Sequence, residues 1–194
     1  GHVDVAKLLI QNGADVNAER NKYYRTSLRV AASRSYADVA KLLIQNGADV
    51  NAVGKDNETI LHFTIGYGLV DVAKLLIQNG ADVNDVADDD YTILHFAAAY
   101  GYVDVVKSLI QNGANVNAVD KDNESVLHYA SFDSELAPII LELLCFGAKI
   151  DKKALENDKT GLLVQIEERL EKLRNGERRT TNLYSNEENK YKWN

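Results

Sequence analysis

A segment of fifteen residues recurs through this chain and constrains its fold more than any other feature. The segment reads VDVAKLLIQNGADVN at residues 70–84, and near-copies occupy residues 3–17, 37–51 and 103–117. Its Gly-Ala pair recurs in steps of 34, 33, 33 and 34 residues, at Gly13, Gly47, Gly80, Gly113 and Gly147. A fixed period of this length predicts an array of stacked structural repeats.

Each repeat is predicted to contain two helices and a turn. In the third copy, Thr59 is placed to cap a short apolar helix over residues 59–65, and Gly68 ends that helix. A second helix over residues 70–79 carries apolar residues at helical spacing, which gives it one apolar stripe. One unit cannot bury that stripe by itself, so we expect neighbouring repeats to stack and to share their stability.

The repeats share two motifs over residues 1–151: a [Thr/Ser]-x-Leu-His start and a Gly-x-x-Asp-Val-x-Lys-x-Leu-Ile-x-x-Gly-Ala-Asp-Val-Asn second half. In these motifs they resemble the ankyrin repeat. The family's proline is absent from all four starts, and Arg29 replaces the histidine in the second copy. The resemblance implies an all-α fold, an α-solenoid of helix-turn-helix units joined by β-turn or hairpin loops.

Three segments are expected along the chain. Residues 1–151 are expected to form the repeat array, whose first repeat is incomplete, so we expect the chain to be a fragment of a longer protein. Residues 152–176 contain a predicted helix with an apolar stripe, which either caps the last repeat or docks a partner. Residues 177–194 are a polar tail, and the alternatives are a truncated further segment, packing of Trp193 on the cap, or no fixed structure.

Charge and cysteine content narrow the classes of partner and compartment. Residues 1–151 carry 12 Lys/Arg and 21 Asp/Glu, a net charge of −9. An acidic array disfavours nucleic acid, since phosphates require basic side chains, and favours a protein partner with a basic surface. No apolar run of the sequence approaches the length of a membrane span. The single cysteine, Cys145, lies in an apolar run and is predicted to be a buried free thiol, which fits the cytoplasm.

The residues His62, His95 and His128 invite a catalytic or metal-binding interpretation. They repeat every 33 residues, so we expect them at equivalent positions of successive repeats. In the resembled family that position forms a hydrogen-bonded ladder. The sequence has no nucleophile elbow, phosphate-binding glycine loop or zinc-hydrolase pattern, and the acidic run at residues 88–90 lacks the closing Glu of a calcium loop. We therefore predict no catalytic residue, no metal site and no cofactor.

The resemblance implies that a partner docks on the concave face, formed by the turns and the exposed ends of the first helices. Tyr67 and Tyr100 are in register there, and Tyr91 and Phe132 flank them. Exposed rings among carboxylates suit a partner that carries Arg or Lys. The alternative is that Tyr67 and Tyr100 only cover gaps between helices. The candidate partner-binding residues are Tyr23, Arg25, Arg34, Asp56, Glu58, Tyr67, Asp88, Asp89, Tyr91, Tyr100, Phe132 and Asp133.

Single positions depart from the pattern or carry a specific expectation. Phe63, Phe96 and Tyr129 are assigned to the core, because the family usually has Leu at that position. Ser108 stands where the other copies have Leu, so its hydroxyl is expected to lose apolar contacts. Arg29, with the other basic residues of the second copy, is expected to give the acidic array a positive end.

The favoured function is a monomeric protein–protein interaction module with no catalysis in this segment. The alternative is the recognition part of a larger effector or enzyme, whose catalytic part lies outside residues 1–194. The near-identity of the second helices also leaves open an engineered scaffold.

Overall fold

The computed structural model describes residues 2–18, 26–54 and 58–174, and within them the chain is an array of helix pairs. Two short 3-10 turns, Asp88–Asp90 and Ser134–Leu136, accompany the α-helices. In chain order the helices are α1 (Val3–Gln11), α2 (Ser27–Ser33), α3 (Ala37–Gln45), α4 (Ile60–Gly66), α5 (Val70–Gln78), α6 (Ile93–Ala99), α7 (Val103–Gln111), α8 (Val126–Ala130), α9 (Ala137–Cys145), α10 (Lys152–Glu156) and α11 (Leu162–Arg174). The predicted all-α solenoid of repeats is therefore confirmed.

Each first helix of a repeat (α2, α4, α6 and α8) begins at a hydroxyl residue that caps it. The oxygen of the capping side chain accepts a hydrogen bond from the backbone N–H of the residue three positions later. The capping residues are Thr26, Thr59, Thr92 and Ser125. Isolated antiparallel bridges close the turns that lead into α4, α6 and α8. The predicted cap at Thr59 is confirmed, and the hydroxyl caps start these helices without the family's proline.

Gly68 lies in the connection from α4 to α5. Its φ is +67°, and a Cβ at this position would lie 2.9 Å from the hydroxyl oxygen of Tyr102 in the next repeat. A left-handed backbone favours glycine, and the Tyr102 hydroxyl leaves little room for a Cβ here. Gly68 therefore allows the chain to turn directly from the first helix into the second.

Leucines of successive helix pairs form a continuous core. One equivalent position of the first helices carries leucines that are at most 1% exposed: Leu28, Leu61, Leu94 and Leu127. One equivalent position of the second helices carries leucines that are at most 5% exposed: Leu43, Leu76, Leu109 and Leu143. Burial of each such side chain contributes roughly 1.5–3 kcal/mol. The stacked arrangement provides this burial, because each helix pair is covered by its neighbours.

Asparagine side chains also join the repeats. The Asn84 amide donates to the Gly113 carbonyl at 3.0 Å, and its side-chain oxygen accepts the Asn115 backbone N–H at 2.9 Å. The same pair of bonds to the next repeat is made by Asn17, Asn51 and Asn117. These bonds fix the spacing between successive turns after the second helices.

A further helix pair, α10 and α11, follows the fifth repeat. Asp151 caps α10, and its carboxylate also accepts the hydroxyl hydrogen of Ser125 in the fifth repeat. Ala154 of α10 and Leu163 of α11 are fully buried. Helix α10 packs on α8, and α11 packs on α10. The apolar stripe of the sequence predicts α11 but not α10, whose five residues are too few to show an apolar period.

Cys145 is exposed, so the prediction of a buried thiol is wrong. It is the last residue of α9, and it lines an open recess of about 570 Å³ between α9 and α11. The recess is also lined by Leu141, Leu144, Ile166 and Leu170. In the earlier repeats the next second helix covers this side, whereas α11 packs mainly on α10 and leaves it open.

Phe63, Phe96 and Tyr129 are half-buried and not fully buried, so their assignment to the core holds only in part: Phe96 packs against the core. Each ring is larger than the leucine usual at its position. The rings also contact other aromatic or charged side chains. They are therefore part of the surface that carries the candidate binding residues.

Candidate functional site

Three exposed rings lie at the carboxyl ends of successive first helices, and we call them the aromatic row. Tyr67 follows α4, Tyr100 follows α6 and Phe132 lies just beyond α8. They are 71%, 54% and 40% exposed, respectively. A side chain that filled a gap between helices would be largely buried, so this exposure argues against the gap-covering alternative for Tyr67 and Tyr100.

Each ring of the aromatic row lies beside a half-buried ring of the same repeat. The ring centroids are 4.6 Å apart for Phe63 and Tyr67, and 6.5 Å apart for Phe96 and Tyr100. In the fifth repeat the corresponding distance, from Tyr129 to Phe132, is 6.3 Å. Spacing of three or four residues along a helix brings these pairs together. The surface thus presents a double line of rings over three repeats.

Tyr91 connects the rings of the fourth and fifth repeats. Its centroid lies 4.5 Å from that of Phe96 and 5.0 Å from that of Tyr129, with both contacts edge-to-face. It also stacks on His95 at 5.0 Å. Burial, followed by the charge of Asp120, raises the pKa of the Tyr91 phenol, so the ring stays neutral. Tyr91 is therefore half-buried and packs against the neighbouring rings of the surface.

Asp120 places a nearly buried negative charge below these rings. It is 8% exposed, and its carboxylate accepts the Tyr129 hydroxyl at 2.7 Å and the backbone N–H groups of Asp122 and Glu124 at 3.0 and 2.9 Å. Burial opposes ionisation, but the hydrogen bonds outweigh it and lower the pKa of Asp120. Asp120 is therefore ionised at neutral pH.

Sequence reasoning missed Asp120. The equivalent positions of the third and fourth repeats are Gly54 and Ala87. That departure from the other copies is the only sequence signal that could have drawn attention to it. Its hydrogen bonds depend on the folded turn, which the repeat pattern does not specify.

Arg29 is held by the next repeat, so it does not add to a positive end of the array. Its guanidinium donates to the Glu58 carboxylate at 2.6 Å and to the Glu58 carbonyl at 3.0 Å. It also lies 4.9 Å from the centroid of the Phe63 ring, in cation–π geometry. Arg29 thus forms an inter-repeat contact from the position where the other copies have histidine.

The other candidate residues, beside Tyr67, Tyr91, Tyr100 and Phe132, fall into three groups in the structure. Exposed charges are Arg34, Asp89 and Asp133, and Asp89 pairs with Lys121 at 2.6 Å. Glu58 is half-buried and engaged by Arg29. Tyr23, Arg25 and Asp56 lie outside the described residues, as does the side chain of Asp88.

The three repeated histidines lie along the array and do not meet at one site. His62, His95 and His128 are buried near the starts of α4, α6 and α8. The Nδ1 atoms of His62 and His95 each lie 2.8 Å from the hydroxyl oxygen of their own capping threonine. Only His95 also bonds the next repeat, from Nε2 to the Glu124 carbonyl at 3.3 Å. The histidines therefore pack at the starts of their helices. Among the described contacts, the hydrogen-bonded ladder expected for them is reduced to the single bond from His95 to the Glu124 carbonyl.

Residues 2–18, 26–54 and 58–174 contain no group of three or more His, Cys, Asp or Glu side chains arranged to hold a metal ion. None of the helices formed by the same residues combines the length and apolarity needed to span a membrane.

The fold and its repeated surface define a class of protein, the solenoid of stacked helix pairs. Comparison with family models assigns the class more closely. Residues 1–87 match a model described as ankyrin repeats in three copies, and residues 76–130 match one described as ankyrin repeats in many copies. The chain belongs to the ankyrin repeat family, whose members are generally protein–protein interaction modules and typically non-catalytic. No curated protein matches the chain.

Proposed function

We propose that this chain binds a partner protein through the aromatic row and the turns beside it, as a monomer and without catalysis of its own. The observation that supports this most is the exposure of Tyr67, Tyr100 and Phe132 at the carboxyl ends of three successive first helices. Large exposed rings are typical of interface residues that contribute most of the binding energy.

Charge indicates the chemistry of the partner. Asp133 follows Phe132 of the row in the chain, and Asp89 and Asp120 lie beside the half-buried rings Tyr91, Phe96 and Tyr129, where Asp120 keeps a fixed negative charge. The array as a whole has a net charge of −9 over residues 1–151. These features favour a partner with a basic surface, which long-range attraction would guide to the acidic array.

The proposal is tested with the variant Tyr67→Ala/Tyr100→Ala. A protein that co-purifies with the unmodified chain is first identified, and its affinity for both forms is then measured by calorimetry. We expect the double variant to bind at least about a hundredfold more weakly, since two central rings are lost. Thermal unfolding of the variant should be nearly unchanged, because both rings are exposed.

Tyr36→Ala is the matched control. Tyr36 is also an exposed tyrosine, but it precedes α3 in the second repeat, away from the aromatic row. This control should keep the full affinity. Equal affinity of the double variant and the unmodified chain would contradict the proposal, and unfolding of the double variant would instead assign the rings to the core.

A further inference from the structure

A recess between the fourth and fifth turns combines aromatic rings with carboxylates. It has a volume of about 350 Å³. The rings that line it are Tyr91, Phe96 and Tyr129, and the carboxylates are Asp89, Asp120 and Asp122. Lys121 is the single basic residue of its lining, so the formal charge of the recess is negative. A ring face next to a carboxylate attracts a cation on two counts, through the ring quadrupole and through direct charge pairing.

The rings and the innermost carboxylate have fixed protonation states. Burial, followed by the hydrogen bond and the charge of Asp120, raises the pKa of Tyr129, so the phenol remains neutral. Asp120 itself accepts three hydrogen bonds and is nearly buried. The negative charge of the recess is thus constant around neutral pH, and the exposed Asp122 carboxylate adds to it at the rim.

The chain already shows how the same combination of groups holds a guanidinium. Two repeats earlier, Arg29 lies between the Glu58 carboxylate, at 2.6 Å, and the Phe63 ring, at 4.9 Å. Arg29 comes from the chain itself and fills that site. The recess offers carboxylates and rings of the same kinds, and among its described lining residues no arginine occupies it.

Lys121 is a weak internal competitor. Its ammonium pairs with Asp89 at 2.6 Å, and both side chains are more than half exposed. Exposed ion pairs of this kind contribute little to stability, because water and salt screen them. An incoming guanidinium can therefore replace Lys121 at Asp89 at small cost.

We propose that this recess takes the side chain of an arginine from the partner protein. The guanidinium pairs with Asp122 and Asp89 and lies against the exposed faces of the rings. Arginine fits better than lysine, because its planar group stacks on rings and forms paired hydrogen bonds with a carboxylate. The inference rests on the proposed function, since it assumes that a protein partner docks on this face.

The test uses the isotope-labelled chain and a blocked Gly-Gly-Arg-Gly-Gly peptide, followed by NMR. We expect saturable shifts of backbone amides within residues 89–91 and 120–124. The same peptide with citrulline, which keeps the shape of arginine without its charge, should bind at least about tenfold more weakly. Shifts spread evenly over all acidic turns, or equal binding of the citrulline or the matching lysine peptide, would overturn the inference.

Three variants localise the effect. Asp122→Asn should weaken peptide binding about fivefold, whereas Asp71→Asn, at an exposed carboxylate of α5 outside the recess, should leave it unchanged. Lys121→Ala should strengthen binding, because it removes the internal competitor. If Asp122→Asn has no effect while Tyr67→Ala/Tyr100→Ala still loses the partner, the recess inference fails and the proposed function stands. If only the double variant has no effect, the proposed function fails.

Discussion

At the scale of single residues, several contacts between repeats are made by a side chain that occurs at the equivalent position of each repeat. Asn84 is an example, because it bonds the next repeat through both its donor and its acceptor. Asn84→Ala removes both bonds, and we expect the free energy of unfolding in urea to fall by roughly 1–2 kcal/mol. Asn79→Ala is the control, since the Asn79 amide donates only within its own repeat, to the Leu75 carbonyl at 2.7 Å. Equal losses from the two variants would show that the inter-repeat bonds add nothing.

The buried histidines predict a pH dependence of stability. Burial lowers the pKa of His95 below its ordinary 6.5, although the hydrogen bond to the Glu124 carbonyl raises it in part. The unfolded chain therefore binds a proton at a higher pH than the folded chain does. The contribution of His95 is complete above pH 6.5 and decreases as the pH falls from there toward the folded-state pKa. His62 behaves in the same way, and its pKa is also lowered by burial.

We expect the free energy of unfolding to fall between about pH 7 and pH 5.5, and to fall less in His95→Gln. An NMR titration of the His95 ring provides a direct check, independent of how well the variant folds. A midpoint below 6.5 is expected, and a midpoint above it would contradict the role of burial.

At the scale of helices, α1 and α5 form a natural matched pair. Both have the sequence VDVAKLLIQ. Helix α5 buries Val72, Ala73, Leu76 and Ile77, whereas α1 buries no residue. Because their intrinsic helix propensities are identical, any difference in stability comes from packing. We expect amide hydrogen exchange to be at least about a hundredfold slower in α5 than in α1, and similar rates would contradict stabilisation by stacking.

The seam between second helices has a polar replacement in the fourth repeat. Ser108 of α7 occupies the position of Leu42 and Leu75, and it is half-buried. Ser108→Leu should add apolar contacts and raise the free energy of unfolding by about 0.5–1 kcal/mol. Lys41→Leu, at an exposed position of α3, is the control and should give no such gain. An unchanged or lowered melting temperature for Ser108→Leu would contradict its predicted place in the seam.

The same helices show how far the sequence predicts the structure. The period predicts helix starts, glycine turns and stacking, because these depend on local pattern and on one repeated contact. Burial is less predictable, since α1 and α5 share a sequence and differ in their neighbours. Cys145 is exposed for the same reason, because an apolar run is buried only where another helix covers it.

The sequence predicts which rings of the candidate site are exposed, but not which side chains of neighbouring turns touch. Tyr67 and Tyr100 could be placed on the surface because they occupy equivalent positions at the ends of first helices. The contacts of Arg29 with Glu58, and of Tyr91 with Tyr129, join residues about one repeat apart through the fold of the turns. A repeat pattern places such residues on neighbouring units but does not specify which groups of the two turns touch.

At the scale of the whole molecule, stacking separates two tasks. The leucines and asparagines that join the repeats provide stability, while the turns and first-helix ends carry exposed rings and carboxylates. Substitutions on the aromatic row should therefore change binding with little effect on unfolding, and substitutions in the core should do the reverse. Repeat arrays permit this separation because each unit contacts only its neighbours.

The hydrogen-exchange footprint of the co-purifying partner tests most directly whether the turns and first-helix ends form the docking surface. We expect slower exchange on binding at residues 66–68, 99–101 and 131–134, with the turns at 86–91 and 119–124, and unchanged exchange in α5 and α7. Protection confined to α5 and α7, with no change at the ends of α4, α6 and α8, would contradict this expectation.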